Sequence, residues 1–400
     1  MEPTFTEFAH LKIPLEEIQE ATNNFAEKNI IGKGGFGIVY KGKINRSGKS
    51  IKIVAQRLGR NQWQGDVEFW TEISMLSTIK HDNIVSLIGY CDEKGDKIII
   101  NRLYAKGSLV RYLSDPTTLS WFHRLKICFH VACAIRHIHN NLYESYYIIH
   151  RNINSSTIVL DHNFDDGGVR LSGFEHSIKH SVDRKDQVYI GEAIGTQGYM
   201  DPAIETTKGV NHKSDIYSFG VVLFEMLCGR KAFQDNKLLA PLAKNHYENG
   251  TLSEIIHPDL WNQMNPESFK FFSEVAYSCL HEDPTQRPDV AELTNILYMA
   301  YIVHFDHPTH DKVKEDNESM DECLVSEGDK MFESFTPSEV DKMLESLQPC
   351  TNKWWILNTI VEGANLEHNF LKVNHEHIIY NTMNIYINQI GYLISYRTNI

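Results

Sequence analysis

Between residues 32 and 39 the chain reads Gly32-Lys33-Gly34-Gly35-Phe36-Gly37-Ile38-Val39. Glycines at this spacing let a backbone turn through conformations closed to other residues and bring its N–H groups close to a phosphate. The segment after the glycines narrows the fold. In dinucleotide-binding folds a helix begins there. Here Ile38-Val39-Tyr40-Lys41-Gly42 is β-branched and aromatic, which calls for a strand. A glycine-rich hairpin over residues 31–43 is therefore expected. Taken alone, the pattern also suits a hairpin that binds nothing.

Around the hairpin the periodicity changes along the chain. Residues 14–25 have Leu15, Ile18, Ala21 and Thr22 on one stripe behind Pro14, the pattern of a short amphipathic helix. A strand is expected over 51–58. A helix is expected over 64–79, where Val67, Trp70, Ile73, Leu76 and Ile79 recur at helical spacing. After Ile98-Ile99-Ile100 the pattern turns mainly helical, with long helices near 120–140, 214–230 and 266–280. A strand-rich first part and a helical remainder imply an α+β molecule of two lobes with a cleft between them.

The 400 residues are 42% hydrophobic, enough for one domain of roughly 250–300 residues with extra segments. A net charge of −13 argues against a nucleic-acid or anionic-membrane surface, since both need clustered Lys and Arg. Seven cysteines without a C-x-x-C pair indicate neither a disulfide framework nor a zinc site; Cys91, Cys128, Cys133, Cys228 and Cys279 lie in apolar stretches. That usage suits a reducing compartment. Met1-Glu2-Pro3-Thr4 has no basic start, no apolar run and no glycine for myristoylation, so neither a secretory signal nor that anchor is expected. No membrane-spanning segment is expected either. Beyond residue 303 the composition shifts: 304–334 reads as an acidic linker and 335–347 as one short helix, within a tail running from 335 to 400. Residues 378–400, mostly Ile, Tyr and Asn, read either as a peripheral strand pair or as translated non-coding sequence, and no function is assigned to them.

Further motifs follow the glycines in a fixed order. They are Glu72 in Thr71-Glu72-Ile73, then His81-Asp82-Asn83-Ile84-Val85, and His150-Arg151-Asn152-Ile153-Asn154-Ser155-Ser156-Thr157. Next come Ser172-Gly173-Phe174-Glu175, Gly195-Thr196-Gln197-Gly198-Tyr199-Met200-Asp201-Pro202, Ser214-Asp215-Ile216-Tyr217-Ser218-Phe219-Gly220 and Arg287-Pro288. The set resembles the protein kinase superfamily, and within it the plant receptor-like kinases, over about residues 22–303. Residues 18–25, Ile18-Gln19-Glu20-Ala21-Thr22-Asn23-Asn24-Phe25, are similar to the segment that precedes the kinase domain in that plant group. The resemblance implies a two-lobed kinase fold: an extension over 1–24, a small lobe over 25–100 and a large lobe over 101–303. It places the nucleotide site at Ile31, Gly32, Gly34, Gly37, Val39, Gln56 and Glu72.

The departures from the family pattern fall on its chemistry. Kinases need a lysine on the phosphates, metal ligands and a carboxylate to accept the hydroxyl proton. By resemblance the phosphate lysine falls on Gln56, the proton acceptor on Asn152 and the catalytic-loop lysine on Asn154. The metal-binding asparagine falls on Thr157 and the metal-binding aspartate on Gly173, so neither metal position is intact. Ala203 replaces a glutamate that pairs with an arginine, here Arg287. Lys52 shares a strand face with Gln56, but at about 3.3 Å per residue it lies roughly 13 Å away. Glu175 is a carboxylate that could stand in as a metal ligand.

Retained features have structural readings: Asp215 caps a helix and bonds the catalytic-loop backbone, while Phe174 and His150 pack. Glu72, deprived of its lysine, is expected to be solvated or paired elsewhere, leaving its helix free to swing out. His137, His139 and His176 show no ligand spacing. The segment 176–196 carries Ser177, Ser181, Tyr189 and Thr196 among Lys179, Arg184 and Lys185. It reads either as a solvated loop or as a phosphoacceptor segment docking on Arg151. The whole pattern implies a pseudokinase that partners a receptor-like kinase or other signalling protein. It would be cytoplasmic, or peripheral at the plasma membrane through a receptor partner, with weak ATP binding and weak or no Mg2+ binding. The alternatives are an active serine/threonine kinase with a non-standard metal site, and an ATP sensor without phosphotransfer.

Overall fold

The structure, a computed structural model, describes residues 7–34, 37–46, 48–59, 65–140, 146–162, 168–182, 187–191 and 194–305. The expected acidic linker beyond 305, the 335–347 helix and the rest of the tail lie outside the described residues.

The first helix is α1 (Leu15–Ala21), entered from Pro14, which occupies the N-cap. It ends where Asn23, Asn24 and Phe25 take left-handed φ of 52°, 55° and 56°; asparagine tolerates that region better than most residues. The glycine hairpin follows as β1 (Ile30–Gly34) and β2 (Gly37–Arg46). Then come β3 (Lys49–Arg57), α2 (Gly65–Thr78), β4 (Leu87–Glu93) and β5 (Asp96–Arg102). The five strands form one antiparallel sheet in the order β1-β2-β3-β5-β4. Residues before and after 24 pack together. Ile13, Leu15 and Ile18 share one buried cluster with Tyr40, Ile53, Ala55, Ile98 and Ile100. The segment is also stitched to β4, because the Ile13 amide donates to the Tyr90 carbonyl and a Cβ on Gly89 would lie 2.4 Å from the Leu11 carbonyl oxygen.

The large lobe opens with β6 (Gly107–Ser108) and α3 (Trp121–His139), whose N-cap Ser120 accepts from the His123 amide. Short strands β7 (Tyr146–Ile149), β8 (Ile158–Leu160), β9 (Val169–Leu171) and β10 (Ile178–Ser181) come next. They are followed by β11 (Tyr189–Ile190), α4 (Ala203–Thr207) and β12 (Gly209–Val210). The lobe is completed by α5 (His212–Cys228), α6 (Leu239–Glu248), α7 (Pro258–Trp261), α8 (Pro266–Cys279) and α9 (Val290–Phe305). Helix α5 is buried along nearly its whole length, from Ile216 to Cys228. Fully buried Arg124 on α3 gives its guanidinium to the carbonyls of Leu113, Leu119 and Met226, so its charge fastens backbone rather than a ligand. The three helices expected near 120–140, 214–230 and 266–280 are α3, α5 and α8. Helix α9 runs into the first residues of the expected linker.

Two local expectations are corrected. Asp215 does not cap α5: the cap is Asn211, which accepts from the Lys213 amide and forms a capping box with Ser214. Asp215 sits one turn in and points back at the catalytic loop. Arg287 does not lose its acidic partner at Ala203: it grips Asp201 instead, two residues earlier.

Candidate functional site

The loop His150–Thr157 leaves β7 and returns as β8, and Asp215 anchors it from below. One Asp215 oxygen accepts from the His150 amide at 2.7 Å and from His139 Nε2 at 2.9 Å; the other accepts from the Arg151 amide at 2.8 Å. Burial would raise the Asp215 carboxyl, but these bonds and the neighbouring imidazoles outweigh it and the pKa is lowered. His139 is therefore not a plain core residue, since it holds this carboxylate. The anchor keeps Arg151 at a φ of +68°, a conformation that a bulky side chain adopts only under constraint.

Asn152, where the resemblance puts the proton acceptor, is engaged at both ends of its amide. Its Nδ2 donates to Glu175 Oε1 at 2.8 Å, and its Oδ1 accepts from Asn154 Nδ2 and from Thr196 Oγ1, each at 2.9 Å. Asn154 is buried, and its Oδ1 accepts from the Ser156 and Thr157 amides. Asn152 thus ties together the catalytic loop, the segment after β9 and the segment before α4.

Thr157 and Gly173, where the resemblance puts the metal ligands, lie side by side. Thr157 Oγ1 shares its one hydrogen between the carbonyls of Asn152 and Asn154, at 3.0 and 2.9 Å, and accepts from the Asn154 amide at 3.1 Å. Gly173, at φ +88°, has no donor atom to offer beyond its backbone. Among the described residues no group of three or more His, Cys, Asp or Glu side chains is arranged to hold a metal ion. The donor set does not fit a magnesium ion, which favours carboxylate oxygens and ligand phosphates. Glu175 accepts from Asn152, and burial raises its pKa. Phe174 is buried edge-on against the His150 ring at 4.5 Å, and burial holds that imidazole near a pKa of about 4.

On the small-lobe side, Gln56 lies opposite Val39 on β2 and Ile99 on β5. Lys52 is exposed further back on the strand, opposite Lys43. The hairpin pairs Gly32 with Val39 and Gly34 with Gly37. Gly37 is required as glycine: its φ is +122° and a Cβ there would fall on the Arg57 carbonyl. Of the two expectations for Glu72, solvated or paired elsewhere, the second holds, and its helix is not left free. Only 3% exposed, Glu72 accepts a hydrogen bond from Asn101 on β5, and burial, then the nearby Glu175, push its pKa up to about 8. Burial and this bond seat α2 against the sheet. Across the mouth of the cleft, Arg111 Nη2 donates to the Ile31 carbonyl of the hairpin at 3.1 Å.

In the segment after Glu175, Arg151 Nη1 donates to the His176 carbonyl at 3.3 Å. Ser177 is buried, with its hydroxyl on the His150 carbonyl, whereas Ser181, Tyr189 and Thr196 are exposed. Lys179 Nζ lies 3.3 Å over the Tyr146 ring; Arg184 and Lys185 lie outside the described residues. Sequence reasoning missed Asn101, Arg111 and Asp201. Only Asp201 carried a local signal, an unassigned carboxylate two residues before Ala203. No helix among the described residues is long and apolar enough to cross a membrane.

A family model described as "Protein kinase domain" matches residues 25–299. The chain is 35% identical to the receptor-like protein kinase HERK 1 of Arabidopsis thaliana over 78% of its own length and 37% of that protein's. From the same plant, the receptor-like protein kinase THESEUS 1 is 37% identical over 71% of the chain and 33% of its own length. The receptor-like protein kinase ANXUR2 is 36% identical over 70% of the chain and 33% of its own length. The chain thus spans about a third of the length of the curated relatives it matches.

Proposed function

Because this chain belongs to the protein kinase domain family, we propose that it is a pseudokinase, a kinase fold that acts through binding rather than phosphoryl transfer. The observation that carries this reading is the state of Asn152. Phosphoryl transfer needs a group that orients the hydroxyl and accepts its proton, a cation on the phosphates, and metal ions bridging them. An amide is essentially non-basic, and this one is committed to Glu175, Asn154 and Thr196. Gln56 brings no charge to the phosphates, and Gly173 no carboxylate to a metal. Glu175, the one candidate substitute, is tied to Asn152 instead.

ATP binding is accordingly weak, with little or no help from Mg2+. The protein serves as a signalling or allosteric partner of a plant receptor-like kinase, in the cytoplasm or held peripherally at the plasma membrane through that partner. The likeness to plant receptor-like kinases supports this placing. The exposed residues Ser181, Tyr189 and Thr196 would accept the partner's phosphates, Thr196 on giving up its bond to Asn152.

The test is labelled-phosphate transfer from ATP, with melting curves recorded with ATP in the presence and absence of magnesium. No incorporation above the buffer control is expected. A ligand at 100 times its Kd stabilises by about 2.7 kcal/mol, so tight binding would register as a melting shift. Magnesium-dependent incorporation that vanishes in Glu175→Ala would replace this reading with an active serine/threonine kinase whose metal site is non-standard.

A further inference from the structure

The family implies a cation held at positions 157 and 173, and the misfit there runs deeper than two missing ligands. A Cβ built on Gly173 would lie 2.6 Å from Thr157 Cγ2, 3.3 Å from Thr157 Cβ and 3.5 Å from Asn152 Nδ2. The first of these is closer than real Cβ contacts come, so either Thr157 or the backbone at 173 would have to shift.

Thr157 is held against moving by both its side chain and its backbone. Its methyl and hydroxyl share one Cβ, so turning the methyl away also turns the hydroxyl. The single hydrogen of that hydroxyl is shared between the Asn152 and Asn154 carbonyls, and its oxygen accepts from the Asn154 amide. The backbone is fastened as well. The Thr157 amide donates to the Asn154 carbonyl and to Asn154 Oδ1, and the Thr157 carbonyl accepts from the Ser172 amide and Ser172 Oγ, both at 2.8 Å. Shifting the threonine in any direction therefore breaks bonds in a part-buried loop, where unpaired polar groups are costly.

We propose that Thr157 and Gly173 are an interlocked pair: the threonine methyl fills the space that any side chain at 173 needs, excluding a divalent cation and preventing its site from being restored at 173 alone. The inference rests on the pseudokinase reading of the cleft and predicts that a single reversion at 173 will not undo it.

The test is a double-mutant cycle on the full chain, read as melting temperature without ligand. Gly173→Ala adds only the Cβ, and Thr157→Ser removes only the methyl while keeping the hydroxyl. Gly173→Ala is expected to lower Tm by about 4 °C or more in the wild-type background. In the Thr157→Ser background its cost should fall to about half or less, the signature of a coupled pair. Backbone strain at φ +88° is common to both backgrounds and cancels. Equal losses in the two backgrounds, or no loss in either, would overturn the interlock. A single variant too unstable to purify still decides the matter, since the double variant either recovers it or does not.

The cation itself is read with manganese by its paramagnetic resonance signal. Wild-type protein added to manganese and ATP should leave the signal of the free complex unchanged, and a protein-bound signal would overturn the exclusion. Phosphotransfer by the wild type would sink the pseudokinase reading while leaving the cycle untouched. An additive cycle would sink the interlock and leave that reading in place.

Discussion

Arg287 grips Asp201 through two parallel bonds of 2.6 and 2.7 Å, with both side chains almost wholly buried. The same guanidinium donates to the carbonyls of His281 and Lys213, so one cation joins the segment before α4, the start of α5 and the turn before α9. A planar fork matched to a carboxylate is a bidentate arrangement that lysine cannot reproduce.

Removing one partner of such a pair leaves a buried charge uncompensated. Asp201→Ala is expected to cost about 3–5 kcal/mol, measured by denaturant unfolding. Arg287→Lys should also destabilise, by less. A loss below about 1 kcal/mol for Asp201→Ala would mean that the pair contributes nothing that water cannot replace.

Glu72 should make stability fall toward alkaline pH. Its carboxyl is raised from 4.5 to about 8, so between those values the folded state keeps a proton that the unfolded chain releases. The contribution is therefore fully present below about pH 4.5 and lost as pH rises through about 8. Glu72→Gln keeps the shape and removes the titration. At pH 8.5 this variant should be more stable than wild type by about 1–3 kcal/mol, with the gap closing at pH 5. Parallel stability–pH curves for the two proteins would show that Glu72 is not the titrating group.

Restoring the carboxylate in Asn152→Asp should not restore activity. The new oxygen would take the place of Nδ2, which lies 2.8 Å from Glu175 Oε1, and two acceptors at that distance repel unless a proton lies between them. Asn152→Asp should melt lower than wild type and transfer no phosphate. Asn152→Asp combined with Glu175→Gln should recover most of the loss, because the glutamine amide can donate to the aspartate. Phosphotransfer by the single variant would mean that the carboxylate alone was missing.

The hydroxyls after Glu175 should not be equivalent toward a partner kinase. Ser177 is buried on the His150 carbonyl, so phosphates should map to Ser181, Tyr189 and Thr196. Tyr189 is close enough to Arg151 for their charges to interact, and a phosphate there would bring about −1.5 to −2 charges to that guanidinium. Mass-spectrometric mapping after incubation with a co-expressed receptor kinase, followed by partner pull-down with Arg151→Ala, checks both points. Phosphate on Ser177, or binding indifferent to Arg151, would count against this docking.

The residues themselves determined the strand-rich first part and the helical remainder, the glycine hairpin, and the placement of α3, α5 and α8. Each of these is written locally, in the period of apolar residues or in a residue type at a fixed spacing from its neighbours. Only the tertiary structure decided what the replacements do instead. Asn152 meets Glu175 and Thr196, Glu72 meets Asn101, and Arg287 meets Asp201, all across long sequence separations. Nothing in the local pattern selects one polar partner over another at such range. Packing brings those groups together and removes the water that would otherwise satisfy each of them separately, so the choice of partner becomes a matter of burial and reach. The same holds for Thr157 and Gly173. Two substitutions that read as independent losses along the chain become one interlocked contact when β8 and β9 lie side by side.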